Sequence, residues 1–277
     1  MAEERGTSPV ADIDTARPHQ ARLWNHWLGG KDTYPIDREI GDKIAAVYPE
    51  IADVARHSRA FLARVVHFMT SQGVRQFLDI GTGLPGVDNT HEVAQRDVQG
   101  SRVVYVDNDP LVVAHARALL SSAPGGVCSY IEADIRTPDA IIEGAASVLD
   151  FTEPVGLLLL GIVGNVADED DPPGIVRRLV AALPSGSHVA INDGTNVLGV
   201  TEWTPAEATA RGEALRLCAE AGTVPYHART PEYIEALFEG LELVDPGVVS
   251  TPLWRPDFPE VGKPRAIDSF GGVARKP

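Results

Sequence analysis

Between residues 75 and 193, five short apolar runs are separated by four helix-patterned segments. RQFLDI (75–80), RVVYVD (102–107), VCSYIEAD (127–134), VGLLLLG (155–161) and SHVAIND (187–193) read as strands. NTHEVAQRD (89–97), PLVVAHARALLSS (110–122), TPDAIIEGAASVL (137–149) and PPGIVRRLVAAL (172–183) read as the helices between them. Strands joined by helical crossovers lie parallel, with helices covering both faces of the sheet. The unbroken LLLL predicts a central strand buried on both sides.

Beyond residue 200 the pattern changes. TPAEATARGEALRLCAEAG (204–222) and PEYIEALFEG (231–240) read as helices. LELVDPGVVS (241–250) and DSFGGVARKP (268–277) read as strands with only a Pro-rich loop between them, which predicts antiparallel pairing. The expected fold is α/β: a Rossmann-like, doubly wound, seven-stranded sheet, mostly parallel with an antiparallel C-terminal hairpin. Ahead of it stand ARLWNHWLGG (21–30), IDREIGDKIAAVY (36–48) and a long amphipathic run from Ile51 to Gly73, all helical by spacing and by their Gly and Pro punctuation. The expected division is a mobile tail over 1–20, a helical lid over 21–73 and a Rossmann-like domain over 74–277.

The charge narrows the function. A net charge of −15 argues against nucleic acid as partner, because phosphate binding needs a basic footprint. It favours a cationic ligand. The longest apolar run, PVGLLLLGIVGNV (154–166), is too short for a bilayer, and the N-terminal stretch has no apolar signal core, so no membrane is expected and the location expected is cytoplasmic. Cys128 and Cys218 read as free thiols.

FLDIGTGLPG (77–86) holds the glycines that chemistry can use. Gly81-x-Gly83-x-x-Gly86 matches the dinucleotide fingerprint, and Asp107 ends the next strand where a ribose would lie. NAD and S-adenosylmethionine share that ribose, so Asp107 does not separate them. Asp79, just before the loop, and Asp88, at the expected N-cap of the next helix, do. One charge against another at about 4 Å is worth roughly 4 kcal/mol at an effective dielectric of 20. The sign is repulsive for pyrophosphate and attractive for an ammonium or sulfonium. Pro85 also removes a backbone donor. Asp79, Gly81, Thr82, Gly83, Asp107 and Asn108 are therefore expected to hold an adenosyl cation. Asp134 is expected at the adenine amino group, with Ile135 on the ring face. Gly161 is expected where the reactive methyl points. DEDD (168–171) reads as an acidic helix start rather than a metal site.

LDIGTG, VVYVDNDP and EADIR, in that order and spacing, resemble the cofactor motifs of Rossmann-like class I methyltransferases. ARLWNHWLGGKDTYPIDREI, RAFLARVV, RQFLDIGTGLP, NTHEVAQ, VDNDPLVVAHARALL and EADIRTPDAI resemble, more narrowly, the bacterial S-adenosyl methyltransferase family formerly catalogued as a domain of unknown function. The likeness runs from about residue 20 to the terminal GGVARKP. It implies S-adenosyl-L-methionine as cofactor and leaves the acceptor, a small molecule methylated on O or N, open. Two positions depart from it. Gly164-Asn165 stands where a His-Phe pair is expected, and Asn192-Asp193 where Ser-His is expected.

Methyl transfer needs alignment and a dry site, and a base only for an acceptor that must lose a proton. His91, Asp193, Tyr226 and His227 are the candidates for that base, with Asn165 as an orienting group. Tyr34 in the lid is expected near the methionine end of the cofactor, and Arg22 or Lys31 on its carboxylate. The alternatives are a non-catalytic S-adenosylmethionine-binding protein and an NAD(P)-dependent oxidoreductase.

Overall fold

A computed structural model describes residues 14–119, 122–197, 205–223, 225–256 and 264–277. Residues 1–13 of the expected tail lie outside the described residues. Three N-terminal helices come first: α1 (Gln20–Trp27), α2 (Pro35–Val47) and α3 (Ile51–Ser71). The expected alternation follows as β1 (Gln76–Ile80), α4 (Thr90–Asp97), β2 (Arg102–Asp107), α5 (Pro110–Leu119), β3 (Val127–Glu132), α6 (Pro138–Ala145), β4 (Gly156–Leu160), α7 (Pro172–Ala181) and β5 (His188–Gly194). The chain closes with α8 (Pro205–Glu220), α9 (Pro231–Ala236), β6 (Glu242–Leu243), β7 (Val249–Ser250) and β8 (Ser269–Arg275).

The sheet order is β3-β2-β1-β4-β5-β8-β6, with β7 pairing β8 at its other end. The first five strands are parallel, and β8 runs antiparallel to β5, β6 and β7. One expectation is corrected. The run 241–250 is two strands of two residues rather than one, which raises the count to eight. Pro246 has no N–H to give a ladder, and Gly247 turns at φ +82°, so the run breaks in its middle.

β1 is buried at every residue, and Leu157, Leu158 and Leu159 of β4 are inaccessible to solvent. Strand alternation divides these side chains between two cores. Leu78, Ile80, Val104, Leu157, Leu159, Val189 and Ile191 face α6, α7 and α9. Phe77, Val103, Tyr105, Leu158 and Ala190 face Phe61, Val65 and Met69 of α3.

The N-terminal helices have a core of their own. Leu23, Trp27, Ile44, Tyr48 and Val54 pack with Ala214 of α8 and Ile267. Between α1 and α2 lies Asp37, inaccessible to solvent, whose carboxylate is 2.8 Å from Arg22 Nε. The same carboxylate accepts from the His19 amide at 3.0 Å and the Tyr34 amide at 2.8 Å. It thereby ties the entry of α1 to the start of α2. Asp37→Asn leaves a guanidinium buried without its counter-charge. A loss of about 3–5 kcal/mol is expected, read as a lower urea midpoint with unchanged slope.

Candidate functional site

The site is built where β1, β2 and β4 end. Gly81 leaves β1 at φ +78°, and its amide donates to Val106 O at 2.8 Å. A Cβ there would lie 2.6 Å from Ile162, so glycine is required by the approach of the segment after β4 as well as by the turn. Gly83, at φ +64°, sends its amide to Asp107 Oδ2 at 3.0 Å, and Asp107 Oδ1 receives the Asp109 amide at 3.0 Å. The glycine loop is thus fastened across the exit of β2. Burial raises the Asp107 pKa, and the two amides oppose the shift. Thr82 lies between the two glycines, partly exposed.

Asp79 lies inside β1, 4% exposed, and accepts from Thr90 Oγ1 at 2.6 Å. Desolvation pushes its pKa up to about 6, against the Thr90 hydrogen bond and the Arg59 charge. Asp88 does not cap α4 and pairs instead with Arg96 on the surface at 2.7 Å. Asn89 is the N-cap, with Glu92 accepting from its amide at 2.8 Å. One of the two carboxylates expected to repel phosphate is therefore turned away, and Asp79 carries that effect alone.

At the other end of the site, Asn108 Nδ2 donates to Asp134 at 3.1 Å, and Arg136 grips the same carboxylate at 2.7 and 2.9 Å. The Arg136 hydrogen bonds hold the Asp134 pKa well below the ordinary range. Ile135 packs into the core beneath, 7% exposed. Gly161, at φ +76°, has no atom within 4 Å of a Cβ position. The exit of β4 is therefore an open cradle, as is Gly83.

The catalytic candidates separate into two places. Asp193 in β5 is inaccessible to solvent, and its Oδ1 accepts from Tyr226 Oη at 2.8 Å and the Gly164 amide at 3.1 Å. Tyr226 Oη accepts from the Gly194 amide at 2.7 Å, and the His227 amide donates to Gly164 O at 2.7 Å. A Cβ on Gly164 would sit 2.5 Å from the Tyr226 ring, so the tyrosine occupies the space a side chain at 164 would take. Desolvation raises the Asp193 pKa to about 7, with the Tyr226 and Gly164 hydrogen bonds and Arg229 opposing. Asn165 reaches back to Gly161 O at 3.3 Å. His91 is elsewhere. It is 2% exposed, with Nδ1 2.9 Å from Tyr105 Oη, between α4 and β2. The second residue of α4 thus packs against Tyr105 of β2, edge-on to its ring.

Among the lid candidates, Arg22 is committed to Asp37 and to the Arg17 carbonyl, with its guanidinium 5.0 Å from the Tyr34 ring centre. Arg22 is 3% exposed and is engaged within the N-terminal helices. Lys31 is exposed at the surface. Sequence reasoning missed Arg59. From α3 it donates through Nε to Val87 O at 3.0 Å and through Nη2 to Asn89 Oδ1 at 2.7 Å. Its only sequence signal is a basic residue on the inner side of an amphipathic helix. Among the described residues there is no cluster of metal-ligating side chains, and no helix is long and apolar enough to cross a membrane.

A parallel 3-2-1-4-5 sheet with an antiparallel closing strand, a glycine turn after β1 and an acid ending β2 define a Rossmann-like methyltransferase fold. The chain belongs to the S-adenosyl methyltransferase family, whose model matches residues 6–277. It is 43% identical to a DUF574 family protein of Streptomyces avermitilis MA-4680, over 95% of this chain and 99% of that one, with a TM-score of 0.86. It is 35% identical to a candidate methyltransferase of Thermobifida fusca YX, over 97% and 98% of the two chains, with a TM-score of 0.84. No curated protein matches the sequence. The cofactor is S-adenosylmethionine, and the dinucleotide alternative falls away. The residues fit it: the open cradles at Gly83 and Gly161 leave room against the loop, and Asp79 supplies negative charge.

Asp193 gives a pH signature. Its folded pKa, about 7, is raised above the ordinary 3.8. Its stabilising contribution is fully present below about pH 3.8 and is lost as pH rises through 7. Asp193→Asn stays neutral throughout. Relative to the parent protein it should gain stability between pH 4 and pH 8, by at most about 4 kcal/mol, measured by urea unfolding across that range. A flat difference between the two proteins would contradict the raised pKa.

Proposed function

We propose that this methyltransferase acts on a small-molecule acceptor carrying a hydroxyl or amine, and that Tyr226 and Asp193 receive the acceptor's proton. The observation that carries this is a buried carboxyl with an attached phenol at the carboxyl ends of β4 and β5, next to the open turn at Gly161. Bound S-adenosylmethionine supplies an electrophilic methyl group on a sulfonium. The acceptor's proton passes to Tyr226 Oη as the Tyr226 proton passes to Asp193 Oδ1. The Gly164 and Gly194 amides hold that pair in place. Arg229 is the cation that Asp193 senses. It pairs with Asp168 and packs on the Tyr233 ring, so its charge is shared. His227 lies beside Tyr226, its amide held by Gly164 O.

The three N-terminal helices act as the lid. His19 Nδ1 lies 3.1 Å from Asp109 Oδ2, at the exit of β2, which supports their closing over the ribose acid Asp107. Tyr34 faces the methionine end, and residues 74–277 form the catalytic domain. Asp107 and Asn108 take the ribose, and Asp134 and Ile135 border the adenine. The protein works in the cytoplasm, a reading that its acidic composition supports.

The experiment is methyl transfer from isotopically labelled S-adenosylmethionine into a panel of phenols, alcohols and amines. With a hydroxyl acceptor the rate should climb as pH rises through about 7, where Asp193 loses its proton. Asp193→Asn and Tyr226→Phe should each lower kcat by about 10²–10⁴ and flatten that rise, with KM nearly unchanged. Variants of full activity would refute the proton pair. An acceptor whose rate is flat in pH would restrict the enzyme to neutral amines.

A further inference from the structure

Two strand exits meet at Arg229, which stands between α8 and α9. Its amide donates to Gly194 O at 3.2 Å, at the end of β5 beside Asp193. Its Nη2 donates to Val166 O at 2.9 Å, in the segment after β4. Its Nη1 lies 2.5 Å from Asp168 Oδ1, in the turn before α7, and its guanidinium covers the Tyr233 ring at 4.8 Å. The two partners of that ion pair differ in setting. The Arg229 side chain is 10% exposed, and its Nε is buried without a hydrogen-bond partner among the described residues. Asp168 is 74% exposed. One end of the pair is thus inside the site, and the other is in water.

Among the described residues no cation bonds Asp193 directly. Tyr226 and the Gly164 amide donate to Oδ1, and Oδ2 is buried without a hydrogen-bond partner there. Opposite Asp193 on β8 stands Phe270, which carries no charge. On α9, the Tyr233 hydroxyl lies within reach of the charges of Arg229, Asp168, Asp193 and Asp171. Asp171 is occupied by the Gly174 amide and by Arg177. Arg229 is therefore the positive charge set against the burial of Asp193, and it acts through space. A charge reaches further across a poorly solvated interior than through water. We propose that Arg229 is a positioning residue for the Tyr226–Asp193 pair, and that Asp168 governs how much of the Arg229 charge the pair receives. The inference rests on the proton-pair reading and deepens it. Arg229 fixes the segment that carries Tyr226, because its amide and its Nη2 bind the two exits between which the phenol lies. Asp168 draws part of the charge outward. The buried acid is thus adjusted from the surface, by a carboxylate in water.

Carbon-13 NMR of the full chain, labelled at its aspartate carboxyls, reads Asp193 directly, the signal being identified by its absence in Asp193→Asn. In the parent protein it is expected to titrate at about 7. Arg229→Gln removes the cation and should move the midpoint up by about half a pH unit or more. Asp168→Asn leaves the cation unshared and should move it down. With a hydroxyl acceptor, the pH–rate curve should follow each midpoint. Opposite shifts from the two halves of one ion pair cannot come from a tether alone, because cutting a tether at either end loosens the same segment. Shifts in one direction, or none, would overturn the proposal. Should Arg229→Gln fail to fold, the downward shift in Asp168→Asn, at an exposed position, still decides it. A parent Asp193 that titrates in the ordinary carboxylate range would overturn the inference whatever the rate does. Shifts as stated beside full activity in Asp193→Asn would uphold the control of Asp193 by charge and refute the pair as the acceptor's base.

Discussion

The structure depends on how the chain leaves β1. Three strand exits must converge for a nucleoside to be held above a parallel sheet, and backbone alone makes that convergence. The Gly81 amide bonds the carbonyl of Val106 in β2. Its missing Cβ lets Ile162, after β4, come into the same space. The Gly83 amide then reaches Asp107 across β2. These contacts involve no side chain of the loop itself, so the loop's outer surface stays open for a ligand. An L-residue at Gly81 would be strained at φ +78° and would collide with Ile162 as well.

Around this turn the fold places carboxyl groups where water is scarce. Asp79, Asp107 and Asp193 all have pKa values raised by burial. Each is a local cost to folding near neutral pH, offset by the apolar burial of β1, β4 and β5. Asp134 shows the contrast. Gripped by Arg136 at the rim, it is held in the charged form. Stability alone would favour the Asp134 arrangement at every site. The three buried acids share one physical feature, that burial disfavours their charged form. The two ends of the site are thus set apart by environment, not by residue type.

Much of this was legible in the sequence, because local pattern governs it. The strand–helix alternation gave the parallel sheet and the LLLL run its centre, and Gly83 and Asp107, both singled out in the sequence, meet at the exits of β1 and β2. What stayed hidden needed contacts between distant residues. Asp88 and Asn89 are adjacent and both suit an N-cap, and only the fold shows that Asn89 takes the cap while Asp88 turns to Arg96. His91 looked available because it follows the loop, but the second residue of a helix can point at the sheet as readily as at a ligand, and its Nδ1 meets Tyr105 there. Arg59 was passed over because its partners, Val87 and Asn89, lie across a helix and a strand from it. Gly164 looked like a lost catalytic position. Its meaning comes from Tyr226, whose ring fills the vacated volume and whose hydroxyl meets Asp193.

The last of these joins the two departures from the family pattern into one. At 164 a side chain is removed, and at 193 a carboxylate is introduced. Each alone would leave a hole or an unpaired buried acid. Together with Tyr226 they close, because the ring enters over Gly164 and its hydroxyl bridges Asp193 and the Gly194 amide. The Gly164 amide supplies the remaining donor to Asp193. A glycine is thus the condition for the tyrosine, and the tyrosine for the aspartate. The three positions thus form a single packed unit, which keeps a titrating group, one of the sequence's candidate bases, at the β4 and β5 exits.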